Sequence, residues 1–280
     1  MAGALPTFII IGAQKCGTTS LHTYLGLHPE IGVSREKELN FFLRPDGERD
    51  LDWYRSWFDP SKPVRGEASP GYTNHPLRQG VPERMHAVVP DARLIFVVRD
   101  PLKRALSQYR HYCADRREDR SAEEALGKPG SKYIVRSRYA FQLDRYLPIY
   151  PLERILVVQQ ERLLDRREET LSDIFRWLGV DPTFRSPLFG FRRHRSDRKR
   201  RRTDLGERIA ASAPGRAVAG LPTPWRWMLE DVLYHPFSRP VPRPALSEAL
   251  WTRLQAELRK DAERLREVTG QAFEGWSVWD

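Results

Sequence analysis

The sequence predicts an α/β protein with a central parallel β-sheet flanked by helices. Three apolar runs support this prediction, because each has the length of a strand and the continuous hydrophobicity of one buried on both faces. They lie within Phe8 to Ile11, Arg93 to Arg99 and Arg154 to Val158. Segments with helical spacing of apolar residues lie between and after them. Strands that alternate with helices favour a doubly wound parallel sheet.

The first strand leads into a turn of small residues that carries one lysine. The turn reads Gly12-Ala13-Gln14-Lys15-Cys16-Gly17-Thr18-Thr19-Ser20, and leucines at 21 and 25 predict a helix that opens with its three hydroxyl residues. A strand, a glycine-bounded turn and a helix N-terminus together form an anion site. Backbone N–H groups converge there, and the helix dipole adds partial positive charge. Lys15 would add a full charge.

This turn departs from the nucleotide-triphosphate loop G-x-x-x-x-G-K-[ST]. Gly12 and Gly17 have the right separation, but Thr18 stands where the lysine belongs, and the lysine is at position 15. In kinases and ATPases that lysine reaches the β- and γ-phosphates, and the next hydroxyl binds Mg²⁺. We therefore expect one phosphate at this loop and no metal. A P-loop kinase-like enzyme that depends on ATP and Mg²⁺ is the alternative.

The segment from Gly12 to Leu21 resembles the 5′-phosphosulfate loop of sulfotransferases that use 3′-phosphoadenosine 5′-phosphosulfate (PAPS). A second signature, Val97-Val98-Arg99-Asp100-Pro101 with Ser107 downstream, resembles the strand and helix that bind the 3′-phosphate in that family. An arginine at the carboxyl end of a strand points into the ligand crevice, and its planar fork suits phosphate oxygens. The alternative is that Arg99 only pairs with Asp100 and that Ser107 is an exposed helix residue.

The resemblance implies a P-loop NTPase-like sulfotransferase fold, PAPS as the sulfuryl donor and 3′,5′-ADP as the product. It implies that Lys15 stabilises the negative charge that develops on the leaving phosphate. It implies cofactor-binding roles for Gln14, Lys15, Cys16, Gly17, Thr18, Thr19, Ser20, Arg99 and Ser107. A catalytically silent protein that binds PAPS or another polyanion is a further alternative.

The segment Lys37-Glu38-Leu39-Asn40-Phe41-Phe42 resembles one in the heparan-sulfate branch of the family, in which the glutamate is the general base. The resemblance implies that role for Glu38, and a carboxylate in a cleft above aromatic residues can have a raised pKa suited to it. The two phenylalanines are expected to fill the core. A solvated charged turn is the alternative. Asn40 replaces a frequent histidine of the family.

Gly66-Glu67-Ala68-Ser69-Pro70-Gly71-Tyr72 is predicted to be a loop, because Gly and Pro interrupt it. From Glu67 to Tyr72 it resembles a loop of the same branch in which a lysine assists at the sulfuryl group. Ala68 occupies that lysine's place here. Either Lys15 carries the charge alone, or another cation reaches the site.

The remaining helices are predicted from apolar spacing and from residues that start or stop a helix. Pro101 suits a helix start and Gly179 a helix end. Residues Asp115 to Ser131 are charged and interrupted by Gly and Pro, which predicts a mobile surface segment. The predicted helices are Asp50 to Phe58, Leu102 to Tyr112, Tyr139 to Tyr150, Thr170 to Leu178 and Leu246 to Val268.

The charge balance favours an anionic ligand, since 47 basic residues face 37 acidic ones in 280 residues. The basic run Arg192 to Arg202 lies within an irregular segment, residues 182–244, that is also rich in Pro and Trp. We expect this segment to form a lid or substrate segment within one domain spanning residues 1–280. A polyanionic-acceptor site and a nucleic-acid-binding loop are alternatives, of which nucleic-acid binding is less favoured.

Cys16 and Cys113 have no spacing typical of a disulfide framework or a zinc site. The first residues lack a basic segment followed by a long apolar one, and no apolar run could span a bilayer, so a cytoplasmic protein without a membrane anchor is expected. The resemblance implies an acceptor hydroxyl or amine, on a small molecule or a carbohydrate. The sequence leaves its identity and the oligomeric state open.

Overall fold

A computed structural model describes residues 3–190, 200–219, 229, 233, 235–242 and 244–280. Its main sheet has five strands in the order β2-β3-β1-β4-β5, and every neighbouring pair is parallel. The strands are β1 (Phe8–Gly12), β2 (Ile31–Val33), β3 (Val64–Ala68), β4 (Arg93–Val98) and β5 (Ile155–Gln159). The predicted α/β class with a central parallel sheet is confirmed, and three of these strands are the predicted ones.

All strands run parallel, but the order in which the chain adds them across the sheet reverses at β1. From β1 the chain continues to β2 and β3 on one side of the sheet and then crosses to β4 and β5 on the other side. Phe8, in β1, pairs with Gly66 of β3 and with Arg93 of β4. In an open parallel sheet, ligands bind at the carboxyl ends of the strands where this reversal occurs. The loop after Gly12 lies at that point.

Helices cover the sheet and connect its strands. The described ones are α1 (Thr18–Leu25), α2 (Leu51–Arg55), α3 (Val81–His86), α4 (Pro101–Ala114), α5 (Ala122–Gly127), α6 (Lys132–Val135), α7 (Tyr139–Leu143), α8 (Gln160–Asp165), α9 (Arg167–Leu178), α10 (Asp204–Ala211), α11 (Ala213–Ala219) and α12 (Glu248–Thr269). Helix α4 begins at Pro101 as predicted, and α12 contributes buried leucines at 250, 254, 258 and 265. Among the described helices, none is long and apolar enough to cross a membrane.

Strands β2 and β3 were not predicted, and Gly66, Glu67 and Ala68 belong to β3, not to the predicted loop. Strand β3 reads Val-Arg-Gly-Glu-Ala, which contains no apolar run. Its glycine is required by packing, because a Cβ on Gly66 would lie 2.3 Å from the Phe8 ring. The residues after the strand turn as a 3₁₀ helix, Pro70–Thr73.

Part of the segment from Asp115 to Ser131, which was predicted to be a mobile surface segment, is a packed helix. Helix α5 lies inside it, closed at its N-terminus by a capping box in which Ser121 and Glu124 satisfy each other's backbone N–H. Ala122, Ala125 and Leu126 are buried. Three apolar residues among many charges were too short a pattern to indicate a packed helix.

Part of the predicted lid is described. Two short antiparallel strands, β6 (Arg200–Arg202) and β7 (Ser238–Pro240), lie against the end of α4 and the segment that follows it. Arg201 pairs with Asp119 at 3.0 Å, and Arg110 of α4 donates to the carbonyl of Val241 at 3.0 Å.

Candidate active site

The loop after β1 has the backbone geometry of an anion site. Gly17 precedes α1 with φ +90°, and no side chain caps that helix. The first N–H groups of a helix have no partner within it, so those of Thr18, Thr19 and Ser20 lie at the loop. Lys15 adopts φ +71°. A non-glycine residue in the left-handed region is strained, and such residues cluster at functional sites.

Thr73 packs directly on the start of this loop. A Cβ on Gly12 would lie 2.0 Å from Thr73 Oγ1, so only glycine fits at position 12. Thr73 is buried, and its hydroxyl has no hydrogen-bond partner among the described residues. Buried polar atoms without partners are uncommon in folded proteins, and beside an anion loop such a hydroxyl is available as a donor. Thr73 was not predicted from the sequence.

The side chains of Gln14 and Cys16 point away from the crevice and into the protein. Gln14 Oε1 accepts from Gln108 Nε2 at 3.5 Å and from Arg136 Nη1 at 3.3 Å. The Cys16 thiol lies 3.5 Å from the Tyr139 hydroxyl, and burial raises its pKa to about 11. The thiol is therefore a neutral packing group. The nucleotide contacts predicted for these two residues stay predictions.

Arg99 lies beside the loop, at the carboxyl end of β4. Its Nη1 donates to the Lys15 carbonyl at 3.3 Å, and its backbone N–H donates to the Tyr139 hydroxyl at 3.4 Å. In the part of the chain that the structure describes, the buried Arg99 Nε has no partner. The hydroxyl of Ser107, in α4, is also buried and has none there. A phosphate would satisfy buried donors of this kind.

Asp100 has a structural role distinct from that of Arg99. It is fully buried, and its carboxylate accepts from the backbone N–H groups of Lys103 at 2.9 Å and Ser277 at 2.7 Å. It therefore caps α4 and fixes the C-terminal tail to the site. The simple Arg99–Asp100 pair weighed from the sequence is not what these contacts describe.

Two further arginines extend the positive charge under the loop. Arg104 is fully buried and donates to Gln108 Oε1 at 2.9 Å and to the carbonyl of Tyr133. Arg136 is 7% exposed and donates to the Tyr112 hydroxyl at 3.1 Å. Burial lowers the pKa of Arg104, because removing a cation from water costs free energy that no carboxylate among the described residues offsets. A bound anion would offset that cost.

Arg104 and Arg136 were not predicted as site residues, because nothing in their local sequence pattern distinguishes them from the many surface arginines. Arg104 lies on the buried face of α4, four residues before Gln108, and this helical spacing is the one signal that could have identified it. Arg136 is in the turn after α6, and its approach to Gln14 depends on tertiary packing.

Glu38 lies at the carboxyl end of β3. Its backbone N–H donates to the Ala68 carbonyl at 2.9 Å, and its φ of +65° is in the left-handed region. Its side chain is 50% exposed and pairs with Lys37 Nζ at 2.9 Å. The strained backbone and the position at this edge of the sheet agree with a functional carboxylate. Its exposure also agrees with the alternative of a solvated charged turn, so the role of Glu38 as general base stays a prediction.

The aromatic floor predicted beneath this turn is confirmed. Phe41 and Phe42 are 1% and 0% exposed. Phe41 stacks on Tyr54 with ring centroids 4.1 Å apart. This contact fills the core below the turn that carries Glu38.

Glu67 is a fully buried carboxylate, and three hydroxyl groups donate to it. The donors are Tyr54 at 2.9 Å, Ser69 at 2.6 Å and Tyr72 at 2.8 Å. Burial raises the pKa of Glu67, although these hydrogen bonds oppose the shift. The same Ser69 hydroxyl accepts from the N–H of Asn40 at 3.0 Å. Glu67 therefore fixes the turn that carries Glu38 to the end of β3.

The basic run is only partly described, and residues 191–199 lie outside the described part. In the remainder, Arg200 donates to the Ser238 hydroxyl at 2.8 Å, and Arg202 lies 4.0 Å from Glu207. Arg200 and Arg202 therefore have partners within residues 182–244. Among the residues that the structure describes, no group of three or more His, Cys, Asp or Glu side chains is arranged to hold a metal ion.

Comparison with known proteins identifies the family. The profile of the sulfotransferase domain family matches residues 5–202, well over half of the chain. The crystal structure of a sulfotransferase from Alicyclobacillus acidocaldarius superimposes with a TM-score of 0.69 and 26% identity, covering 98% of this chain and 99% of that one. The chain therefore belongs to the PAPS-dependent sulfotransferase family, as its phosphate loop indicated, and it is a sulfotransferase with the P-loop-like fold.

Curated relatives lie in the heparan-sulfate branch. The human bifunctional heparan sulfate N-deacetylase/N-sulfotransferase 2 is 30% identical over 201 residues, which are 64% of this chain and 22% of the relative. The corresponding Drosophila melanogaster protein is 29% identical over 211 residues, 64% of this chain and 20% of the relative. The chain thus spans about a fifth of the length of these two proteins.

Proposed function

We propose that this sulfotransferase moves the sulfuryl group of PAPS to an amine or hydroxyl of a carbohydrate, leaving 3′,5′-ADP. One observation carries the choice of donor. The loop with Lys15 leads into a helix without a side-chain cap, and among the described residues the buried donors Arg99 Nε and Ser107 Oγ have no partner. A phosphate loop and a second set of donors suit a nucleotide with separate 5′- and 3′-phosphate groups.

The loop would act on the leaving group. When bound, PAPS supplies an activated sulfuryl group on its 5′-phosphate. Lys15 and the backbone N–H groups from Gly17 to Ser20 would stabilise the charge that develops on that phosphate as the S–O bond breaks. Donors of this kind are each worth about 10²- to 10³-fold in kcat when removed singly. Arg99 and Ser107 would orient the nucleotide by its 3′-phosphate and contribute through positioning.

Glu38 would take the proton of the acceptor. Its carboxylate is half exposed at the carboxyl end of β3, where an acceptor can approach from solvent. A positioned general base contributes about 10²- to 10⁴-fold to a rate. The network of Glu67, Ser69 and Asn40 holds the backbone of this turn in place.

A carbohydrate acceptor is supported by the names of the curated relatives, which act on heparan sulfate. The formal charge of +10 also favours a polyanionic partner. Those names describe N-sulfotransferases, so an amine of a glucosamine unit is the first acceptor to test.

The test is transfer of ³⁵S from labelled PAPS to heparosan, with and without removal of its N-acetyl groups. Label in the de-N-acetylated polymer alone indicates an amine acceptor, and label in both polymers indicates a hydroxyl. Lys15→Ala and Glu38→Gln should each lower the transfer rate at least about 100-fold. Lys128→Ala and Glu36→Gln, at exposed positions, are matched controls that should retain the wild-type rate. Absence of label from both polymers would contradict the carbohydrate proposal.

A further inference from the structure

Lys37 lies at the edge of the sheet where the proposed reaction would occur. The N–H of the next residue, Glu38, donates to the Ala68 carbonyl at the end of β3. The N–H of Ser69 donates to the carbonyl of Ile10 in β1 at 3.1 Å. The turn with Lys37 is therefore one strand away from the strand that leads into the phosphate loop.

The Lys37 ammonium pairs with the neighbouring Glu38 carboxylate. Its side chain is only 17% exposed, and its Nζ lies 2.9 Å from Glu38 Oε1. Its charge also opposes the rise that burial causes in the pKa of Glu67. Lysines usually extend into water, and confining one costs side-chain entropy. A pair with a half-exposed carboxylate offsets little of this cost, so the ion pair alone does not account for the placement.

The end of β3 contributes no other cation to this edge. Ala68 is fully buried and uncharged. Within residues 34–42 and 64–75, all of which are described, the other cations are Arg35 and Arg65. Arg35 is exposed, while Arg65 donates to the carbonyl of Leu5, ahead of β1, at the opposite end of the sheet. Lys37 is therefore the partly buried cation that these two segments contribute to this edge.

We propose that Lys37 is the second catalytic cation of this enzyme and donates to the sulfuryl oxygens of bound PAPS. The inference rests on the proposed function. In the transfer, the S–O bond to the 5′-phosphate breaks, and its electron pair stays on that phosphate. The acceptor nitrogen or oxygen forms the new bond to sulfur, and its proton passes to Glu38. Lys37 keeps its protons and, by leaving Glu38 Oε1, opens that carboxylate to the acceptor.

The decisive experiment compares two nucleotides that differ in the sulfuryl group. Calorimetric titration with PAPS and with 3′,5′-ADP is performed on the wild-type chain, Lys37→Gln, Lys37→Arg and the control Lys128→Gln. Glutamine keeps the length of the side chain and removes its charge, and arginine keeps the charge. Thermal melting confirms that each variant is folded.

Lys37→Gln should weaken PAPS binding about tenfold or more, because a charge-assisted hydrogen bond is lost, and should leave 3′,5′-ADP binding within about twofold. Lys37→Arg should recover most of the PAPS affinity, and Lys128→Gln should match wild type for both nucleotides. Unchanged PAPS affinity in Lys37→Gln, or an equal loss for both nucleotides, would overturn the inference while the proposed function stands. A wild-type chain that binds neither nucleotide would overturn the proposed function itself.

Discussion

Replacing Glu67 with alanine should destabilise the protein and disorganise the turn that carries Glu38. Glu67 is fully buried, and so are the three residues whose hydroxyls it accepts, Tyr54, Ser69 and Tyr72. Removing the carboxylate leaves these three donors without their acceptor. The turn that carries Glu38 should then also lose order, because the Ser69 hydroxyl accepts from the N–H of Asn40 in that turn.

The magnitude follows from the number of stranded donors. Each buried donor left unsatisfied costs about 1–3 kcal/mol, so the free energy of unfolding should fall by at least about 3 kcal/mol. That is a large share of the roughly 5–15 kcal/mol that stabilises a typical protein. In a chain of this size it corresponds to a fall in Tm of about 6 °C or more.

Glu67→Gln is the matched comparison. The amide keeps the shape and one acceptor oxygen for the two tyrosines, and its NH₂ can donate to the Ser69 hydroxyl, so the expected loss is about 1 kcal/mol. Urea unfolding followed by circular dichroism measures both variants, with Glu48→Ala, at an exposed position, as the control. A loss below about 1 kcal/mol in Glu67→Ala, or equal losses in the two Glu67 variants, would refute the proposed role of this network.

Three further predictions concern single groups. Ser107→Ala should weaken 3′,5′-ADP binding about tenfold and leave the stability of the ligand-free protein unchanged or higher. The reason is that it removes a buried hydroxyl that has no partner among the described residues. Calorimetry measures the binding and thermal melting the stability, and a loss of stability would contradict the prediction. Cys16, with its pKa raised to about 11, should resist iodoacetamide at pH 8 in the folded protein and react after unfolding, as followed by mass spectrometry; rapid labelling of the folded protein would contradict the burial. Burial raises the pKa of Asp261 from 3.8 to about 6, so this carboxyl is protonated more readily in the folded than in the unfolded chain, and the stability it contributes falls as pH rises from about 4 to about 6. Relative to wild type, Asp261→Asn should therefore gain up to about 3 kcal/mol between pH 4 and pH 7 in urea unfolding, and a pH-independent difference would contradict this.

The parts of the fold that the sequence predicted are those with local signals. Strands β1, β4 and β5 are continuous apolar runs, and the start of α4 is marked by a proline after a capping aspartate. Strand β3 has no such signal, because it contains a glycine and two charged residues and is fixed by pairing with β1 and by packing against Phe8. Its existence depends on tertiary contacts.

The residues of the candidate site likewise divide into those that local sequence signals predict and those that depend on tertiary packing. Lys15, Arg99 and Ser107 lie in motifs whose spacing carries their chemistry, and the structure brings Arg99 into contact with the Lys15 carbonyl. Arg104 and Arg136 could not be found in this way, because their burial under the loop arises from the packing of α4 and of the turn after α6.

The carboxylates show a further limit of local patterns. Burial raises the pKa of Glu67, because β3 carries that side chain into the core, whereas Glu38 lies in a turn and is half exposed. Which of the two motif glutamates is buried depends on how β3 and this turn are placed in the fold. That placement becomes known only when the register of β3 with β1 is known.

The central claim is that two adjacent anion sites bind a nucleotide with 5′- and 3′-phosphate groups. Calorimetric titration with 3′,5′-ADP, with ATP and Mg²⁺ as the comparison, tests it most directly. We expect binding of 3′,5′-ADP that needs no metal and that Arg99→Ala weakens at least about tenfold, since a charge-assisted phosphate contact is lost. No binding of 3′,5′-ADP, or preferential binding of ATP with Mg²⁺, would contradict the claim and favour a kinase-like nucleotide site.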